Sequence, residues 1–167
     1  MILEIRRALP EDAPLIHALT RAAYEEYRHT DAPSSALDET LDRVRGPLER
    51  GDQDAFVIEA DGVPVASVRY KIDDEGLYFF RLGVVPGARG KGIAGALLER
   101  LEAEARDAGV ERLWCQVRLG VPRNVRLYEG HGFGLIGRHV VTRDGNEIAT
   151  GTMEKPLVAV ARIKEKV

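Results

Sequence analysis

The chain has a single cysteine, Cys115, and so no intramolecular disulfide framework. No stretch approaches the roughly 18 apolar residues of a membrane-spanning helix. The opening, MILEIRRALPEDAP, meets acids and prolines before any apolar run of the kind a secretory signal needs. There is no basic excess either: Lys and Arg number 24 against 27 Asp and Glu, a formal net charge of -3. That balance gives no general attraction to nucleic acid or to anionic membranes. The histidines His17, His29, His131 and His139 show no metal-ligand spacing, so no metal is expected. Repeats, low-complexity tracts and linkers are also missing. What is present is ordinary globular composition, 44% hydrophobic and 31% charged over 167 residues, long enough for one domain with its own core. A cytoplasmic protein is expected.

Hydrophobic periodicity divides the chain. LEIRRA (3–8) reads as a first strand. PEDAPLIHALTRAAYEEY follows as a helix, with Leu15, Leu19, Ala22, Ala23 and Tyr27 about one turn apart and acids in its first turn. After the polar loop RHTDAPSSA, LDETLDRVRGPLERG (37–51) predicts a second helix with a break or kink at Gly46-Pro47. DAFVIEA and VPVASVRYKI, joined by Asp61-Gly62, predict a hairpin. LYFFRLGVV (77–85) reads as a central strand. In GIAGALLERLEAEARDAG, Ile93, Leu97, Leu101, Ala105 and Ala108 share one face, Glu102 and Arg106 pair on another, and Gly109 caps the end. VERLWCQVR is a strand and NVRLYEGHG a short helix. FGLIGRHVVTRDGNEIATGTMEKPL closes as a hairpin around Asp144-Gly145. The order β-α-α-β-β-β-α-β-α-β-β implies a mixed, mostly antiparallel α/β sheet. Only the unit from Leu77 to Arg118 has to be a crossover with parallel strands.

That crossover carries the chemistry. In VVPGARGKGIAG, four glycines and the cations Arg89 and Lys91 gather where a strand becomes a helix. A helix N-terminus presents unpaired N–H groups and a positive dipole end, and glycines let its backbone approach an anion closely. Arg89 and Lys91 add charge-assisted contacts. An anion site is therefore predicted over Arg89, Gly90, Lys91, Gly92, Ile93 and Ala94. Gly87 and Gly92 have Walker spacing, but Ile93 and Ala94 follow where Lys-Ser/Thr is required. Gly90-Lys91-Gly92-Ile93-Ala94-Gly95 satisfies the dinucleotide pattern G-x-G-x-x-G. Four residues, PGAR, separate it from the strand, however, no acid ends the next strand, and about fifty residues remain for a doubly wound sheet.

The same residues resemble the signature of the GNAT-type N-acetyltransferases, [QR]-x-x-G-x-[GA], through Arg89, Gly92 and Ala94. NVRLYEGHGF resembles that family's second motif, with Asn124 and Tyr128 on a short helix after the next strand. The element order matches to about Leu157, so the chain divides into an N-acetyltransferase domain, 1–157, and a tail, 158–167. The resemblance implies two parallel strands, LYFFRLGVV and VERLWCQVR, splayed around acetyl-CoA as co-substrate. It further implies pantetheine contacts from main-chain Val84 and Val85, a pyrophosphate held by the amides from Arg89 to Ala94, and an Asn124 contact to the cofactor arm. Tyr128 is implied as the proton donor to the departing thiolate. The acceptor is then an amine, on a small molecule or a protein, and a homodimer is compatible with the family. Position 88, often bulky in the family, is Ala, and the last signature position is Ala94.

The other candidates have plainer readings. Tyr128 unassisted is an aromatic that packs its helix on the sheet, and Asn124 is a helix cap. Cys115 and Trp114 read as strand packing residues; with no assignable histidine partner, Cys115 gives no acyl-cysteine route. His131 reads as an exposed helix-end residue. The general base stays open among Glu75, Glu25, Glu26, Asp31 and a water chain. The acid-rich segment from Tyr24 to Asp42 points to a cationic amine as acceptor. Two other classes stand beside acetyl transfer: a non-catalytic acyl-CoA-binding domain and an NADP-dependent oxidoreductase.

Overall fold

The computed structural model describes residues 1–29 and 34–157. The predicted tail and Asp31 lie outside the described residues. Strands β1 (Leu3–Arg7), β2 (Asp54–Ala60), β3 (Val63–Asp73), β4 (Gly76–Val84), β5 (Arg112–Arg118), β6 (Gly134–Arg143) and β7 (Asn146–Pro156) form one sheet in the order β1-β2-β3-β4-β5-β7-β6. β4 is central, as its branched and aromatic content predicts. Helices α1 (Ala13–Tyr24) and α2 (Leu41–Arg50) cover one face, α3 (Ile93–Asp107) covers the other, and α4 (Pro122–Gly130) follows β5. The sheet alternation sorts the core accordingly. Ala55 and Val57 of β2 join Ala13, Ile16, Leu19, Val44 and Leu48 under α1 and α2. Phe56 and Ile58 join Leu97, Leu98, Leu101 and Ala105 of α3 on the opposite side.

The predicted turns form with the expected backbone. Asp61 and Gly62 have φ of 49 and 83°, and Asp144 and Gly145 have φ of 52 and 79°, the double positive φ of a tight hairpin turn. Gly109 is left-handed past the end of α3, and Arg106 reaches Glu102 at 3.1 Å. Other boundaries move. Ala22 and Ala108 are exposed, and the buried stripe of α1 runs instead through Ala13, Ile16, Leu19, Thr20 and Ala23. The segment predicted as a second helix opens with a 3-10 turn at Ser35–Asp38. α2 proper begins after Thr40, whose Oγ1 accepts from the Arg43 N–H at 3.2 Å. It also continues through Pro47, because the buried Val44 and Leu48 anchor it on both sides.

Two departures from regular pairing create the site. The parallel pairing of β4 with β5 covers only Leu77–Leu113 and Tyr78–Trp114, although β4 runs on to Val84 and β5 to Arg118. Beyond that point the sheet splits. In addition, Ser67 of β3 lies opposite Gly83 but Arg69 lies opposite Phe80, so β4 carries one extra residue between them. The bulge sits at Arg81, whose φ is 54°. A doubly wound parallel sheet, required by the dinucleotide reading, is not what these strands build.

Candidate active site

The gap between the splayed strands opens into two cavities. The larger, about 590 Å³, is lined by Leu82 to Val84, by the turn Ala88–Gly90 and Gly92–Ala96 at the start of α3, and by Asn124, Leu127 and His131 of the α4 region. The smaller, about 280 Å³, lies on the side of β5 and the β6–β7 hairpin. Tyr24, Tyr27, Leu82 and Asn124 line both, so the cavities meet at the β4 bulge.

The backbone edge of β4 faces this gap. The Val85 N–H donates to the Val65 carbonyl at 2.9 Å. Because hydrogen-bonded and non-bonded pairs alternate along an antiparallel ladder, Val84, opposite Ala66, turns its N–H and C=O away from β3 and toward the gap. Its carbonyl accepts from Arg89 Nε at 3.2 Å, and the Leu82 carbonyl accepts from the Tyr24 hydroxyl at 3.0 Å. With the carbonyls occupied by donors, Val84 offers the gap its N–H. Val85 is different from its sequence expectation: its N–H belongs to the sheet, and it is not among the residues lining either cavity.

The predicted anion turn has the required backbone. Gly90 and Gly92 both have φ of 77°, a conformation costly for residues with a Cβ. Gly92 caps α3, and Ala96 is the helix residue whose N–H reaches back to the Gly92 carbonyl, at 3.1 Å. The amides of Ile93, Ala94 and Gly95 are therefore the unsatisfied first-turn donors, at the wall of the larger cavity. The Ile93 side chain points into the core. The two cations behave otherwise than the sequence suggests. Arg89 uses its guanidinium internally, donating to Val84 O, to Ala23 O at 2.8 Å and to Glu26 Oε2 at 3.0 Å. It braces the turn against α1 and β4. Lys91 is exposed and lies outside the cavity lining.

Tyr128 is buried on α4, edge-on to Phe79 with 5.8 Å between ring centroids and beside Phe133. It lines the smaller cavity, where burial, with Cys115, Tyr24 and Tyr27 nearby, pushes its phenol well above the ordinary value. Tyr128 is thus held protonated, a donor at any physiological pH. Burial likewise pushes Tyr24 up to about 12. Asn124 is not the helix cap: α4 starts at Pro122, whose fixed φ suits the first helical position, and Asn124 sits inside the first turn at the junction of the cavities. Cys115 is buried, and desolvation pushes its thiol up to about 12, so it stays neutral and unreactive as a nucleophile.

The carboxylates named as bases stand elsewhere. Glu75 is exposed in the β3–β4 turn, at the end of β4 away from the bulge. Glu25 is exposed and paired with Arg28. Glu26 bridges Arg89 and Arg123 at the larger cavity; against the opposing effect of burial, these two arginines hold its carboxyl below the usual range. Sequence reasoning missed Glu26's bridge, the Tyr24–Leu82 contact and His131. The last lines the larger cavity with Nε2 facing Gly95, where an added Cβ would stand 2.7 Å away. Among the described residues no group of three or more His, Cys, Asp and Glu is placed to hold a metal, and no helix is long and apolar enough to cross a membrane.

The family model described as Acetyltransferase (GNAT) family matches residues 15–133, from within α1 to just past α4. The chain belongs to the GNAT acetyltransferase family. A curated relative, "IAA acetyltransferase" of Azospirillum brasilense, is 35% identical over 115 residues, 66% of this chain and 72% of the relative. Among solved structures, an N-acetyltransferase from Staphylococcus aureus Mu50 superposes with a TM-score of 0.79 at 22% identity, covering 95% of this chain and 100% of that one. A putative acetyltransferase from Salmonella typhimurium, solved with its cofactor acetyl-CoA, gives 0.77 at 21% identity, covering 95% of each chain. At these identities the superpositions bear on the GNAT fold, while the family membership rests on the sequence match.

Proposed function

We propose that this GNAT protein transfers the acetyl group of acetyl-CoA to an amine by direct attack. The observation that carries the reading is the split of β4 from β5 beside the open amides of α3, because it joins a backbone edge to a phosphate-binding helix end in one cleft. Acetyl-CoA is the co-substrate the family uses. Its pyrophosphate fits the first-turn amides from Ile93 to Gly95, aided by the left-handed Gly90 and Gly92, and Asn124 stands beside the cofactor arm.

The thioester then lies where the cavities meet. The amine nitrogen attacks the acetyl carbon, a C–N bond forms, and the carbonyl oxygen becomes an oxyanion that the Val84 N–H can hold. Collapse breaks the C–S bond and the sulfur leaves as thiolate. Tyr128, which lines the smaller cavity, donates a hydrogen bond to that sulfur, and the ammonium proton passes to water. An ammonium substrate with pKa near 10 must lose a proton before attack, which makes the rate rise with pH.

Release of free thiol from acetyl-CoA over a panel of amines, with the N-acetyl product identified by mass, tests this reading. A non-catalytic acyl-CoA-binding protein binds acetyl-CoA and turns nothing over. Thermal stabilisation by NADP alone, with none by CoA, overturns the cofactor assignment.

A further inference from the structure

One arginine inside a strand has a backbone that its residue type does not explain. Arg81, at the β4 bulge, has φ of 54°. The other non-glycine residues with positive φ among those described, Asp61 and Asp144, sit in hairpin turns. Aspartate finds local support for that conformation, and arginine does not. A residue held there persists because its surroundings over-determine it.

Glu39 supplies much of that hold. It lies between the 3-10 turn Ser35–Asp38 and α2, and three elements grip it. His17 of α1 donates from Nε2 to its backbone carbonyl at 2.8 Å. Arg69 of β3, only 1% exposed, donates to its Oε1 at 2.5 Å. Arg81 Nε stands 3.7 Å from its Oε2, and the same guanidinium donates to Ser35 Oγ at 3.0 Å. Arg69 is also opposite Phe80 in the sheet, its guanidinium 5.1 Å from that ring's centroid, so β3 carries the network to the residue beside the bulge. Ser34, Ser35, Phe80 and Arg81 all line the smaller cavity. None of these four, nor Glu39 or Arg69, lines the larger one. The buried Ala36 and Leu37 attach the turn to the core, and Glu39 adds the position of the turn relative to the bulge.

We infer that Glu39 is a positioning residue for the acceptor: it locks the Ser34–Ser35 wall to the Arg81 bulge and so sets the shape of the smaller cavity. This rests on the acetyl-transfer reading above, in which the smaller cavity receives the amine. The lock acts on the acceptor alone, because its members stand outside the acetyl-CoA cleft.

The test has a structural arm and a kinetic arm. Glycine adopts φ of 54° freely, so Arg81→Gly keeps the bulge and removes the lock. Replacing Glu39 alone strands the buried Arg69 charge, so the second variant, Arg69→Met with Glu39→Leu, removes both charges together. Neither residue of that pair lines a cavity. Hydrogen exchange follows the Ala36 and Leu37 amides, which are bonded to Ser34. In both variants they are expected to exchange about tenfold faster, while Leu97 to Leu101 of α3 hold their rates. Kinetics use whichever of glycine, phenethylamine and putrescine is acetylated fastest. KM for that amine is expected to rise about tenfold in both variants with KM for acetyl-CoA unchanged, and Arg81→Lys, which keeps a cation beside Glu39, to recover most of it. Faster exchange in both variants without turnover of any amine upholds the lock and rejects acetyl transfer to these amines. Unchanged exchange at Ala36 and Leu37, or a KM for acetyl-CoA that rises with that for the amine, overturns the inference.

Discussion

A phenol kept well above its ordinary pKa is a hydrogen-bond donor first and an acid second. A thiolate has a proton affinity set by a pKa of about 8.5, so in the proposed mechanism complete transfer from Tyr128 to sulfur would run uphill, and the phenol's part there is to stabilise the charge as it develops. General-acid groups contribute about 10²–10⁴-fold, and Tyr128 belongs at or below the low end. Tyr128→Phe is expected to lower kcat by about tenfold to a hundredfold with KM for acetyl-CoA unchanged. An unchanged kcat assigns the ring to packing with Phe79 and Phe133 alone. The neutral Cys115 yields a second outcome: Cys115→Ala retains turnover, and intact-mass analysis after acetyl-CoA exposure shows no acetyl-enzyme. Capture of an acetylated Cys115 contradicts direct attack. The place of Asn124 and Tyr128 on a short helix after β5 was legible in the sequence because both lie on one short motif. The Arg123–Glu26 contact spans 97 residues and the Arg89–Glu26 contact 63, and no local pattern encodes such pairs.

At the level of elements, the strand-to-helix turn owes its open amides to backbone geometry. The left-handed Gly92 places the α3 amides at the cleft, and its missing side chain keeps them accessible. Asp and Asn tolerate this conformation similarly, so Gly92→Asp and Gly92→Asn share the strain and differ in charge. Gly92→Asp is expected to abolish stabilisation by CoA, whereas Gly92→Asn weakens it; equal behaviour of the two rejects a phosphate at this helix end. The turn itself was readable, because glycines at a strand–helix boundary have few other reasons to cluster. Arg89's bracing role was not, since a cation in a motif gives no sign of whether it faces ligand or protein. The β4 bulge left one trace, Gly83 inside a strand. A Cβ there would come 2.6 Å from the Ala23 Cβ, so α1 packs directly on the bulge. Gly83→Ala is expected to destabilise the fold by about 1–3 kcal/mol, read from denaturant unfolding.

The whole molecule is a sheet divided by a short parallel pairing, and the division opens the cleft assigned to acetyl-CoA in the proposed function. The strand and helix order was visible from periodicity and turns, yet the order β5-β7-β6 was not, because which strand of the closing hairpin meets β5 depends on pairing across the chain. Burial of ionisable groups sets the alkaline limit of the fold. Cys115 and Tyr24, each raised to about 12 in the folded protein, ionise in the unfolded chain at about 8.5 and 10. Their contribution is complete below the unfolded values and is lost as pH rises toward 12, so the melting temperature is expected to fall across that window. A melting temperature constant to pH 12 places these groups in contact with water. At a hundred times its dissociation constant, acetyl-CoA is expected to add about 2.7 kcal/mol of stability. The most direct measurement is a titration of the isotopically labelled protein with acetyl-CoA, followed by amide resonances. Binding in the split is predicted to shift the amides of Val84 and of Gly90 to Gly95 while those of Asp61 and Gly62, at the β2–β3 turn, stay in place. Saturable binding that leaves Val84 and the α3 amides unmoved would contradict the assignment of the cleft between β4 and β5 to acetyl-CoA.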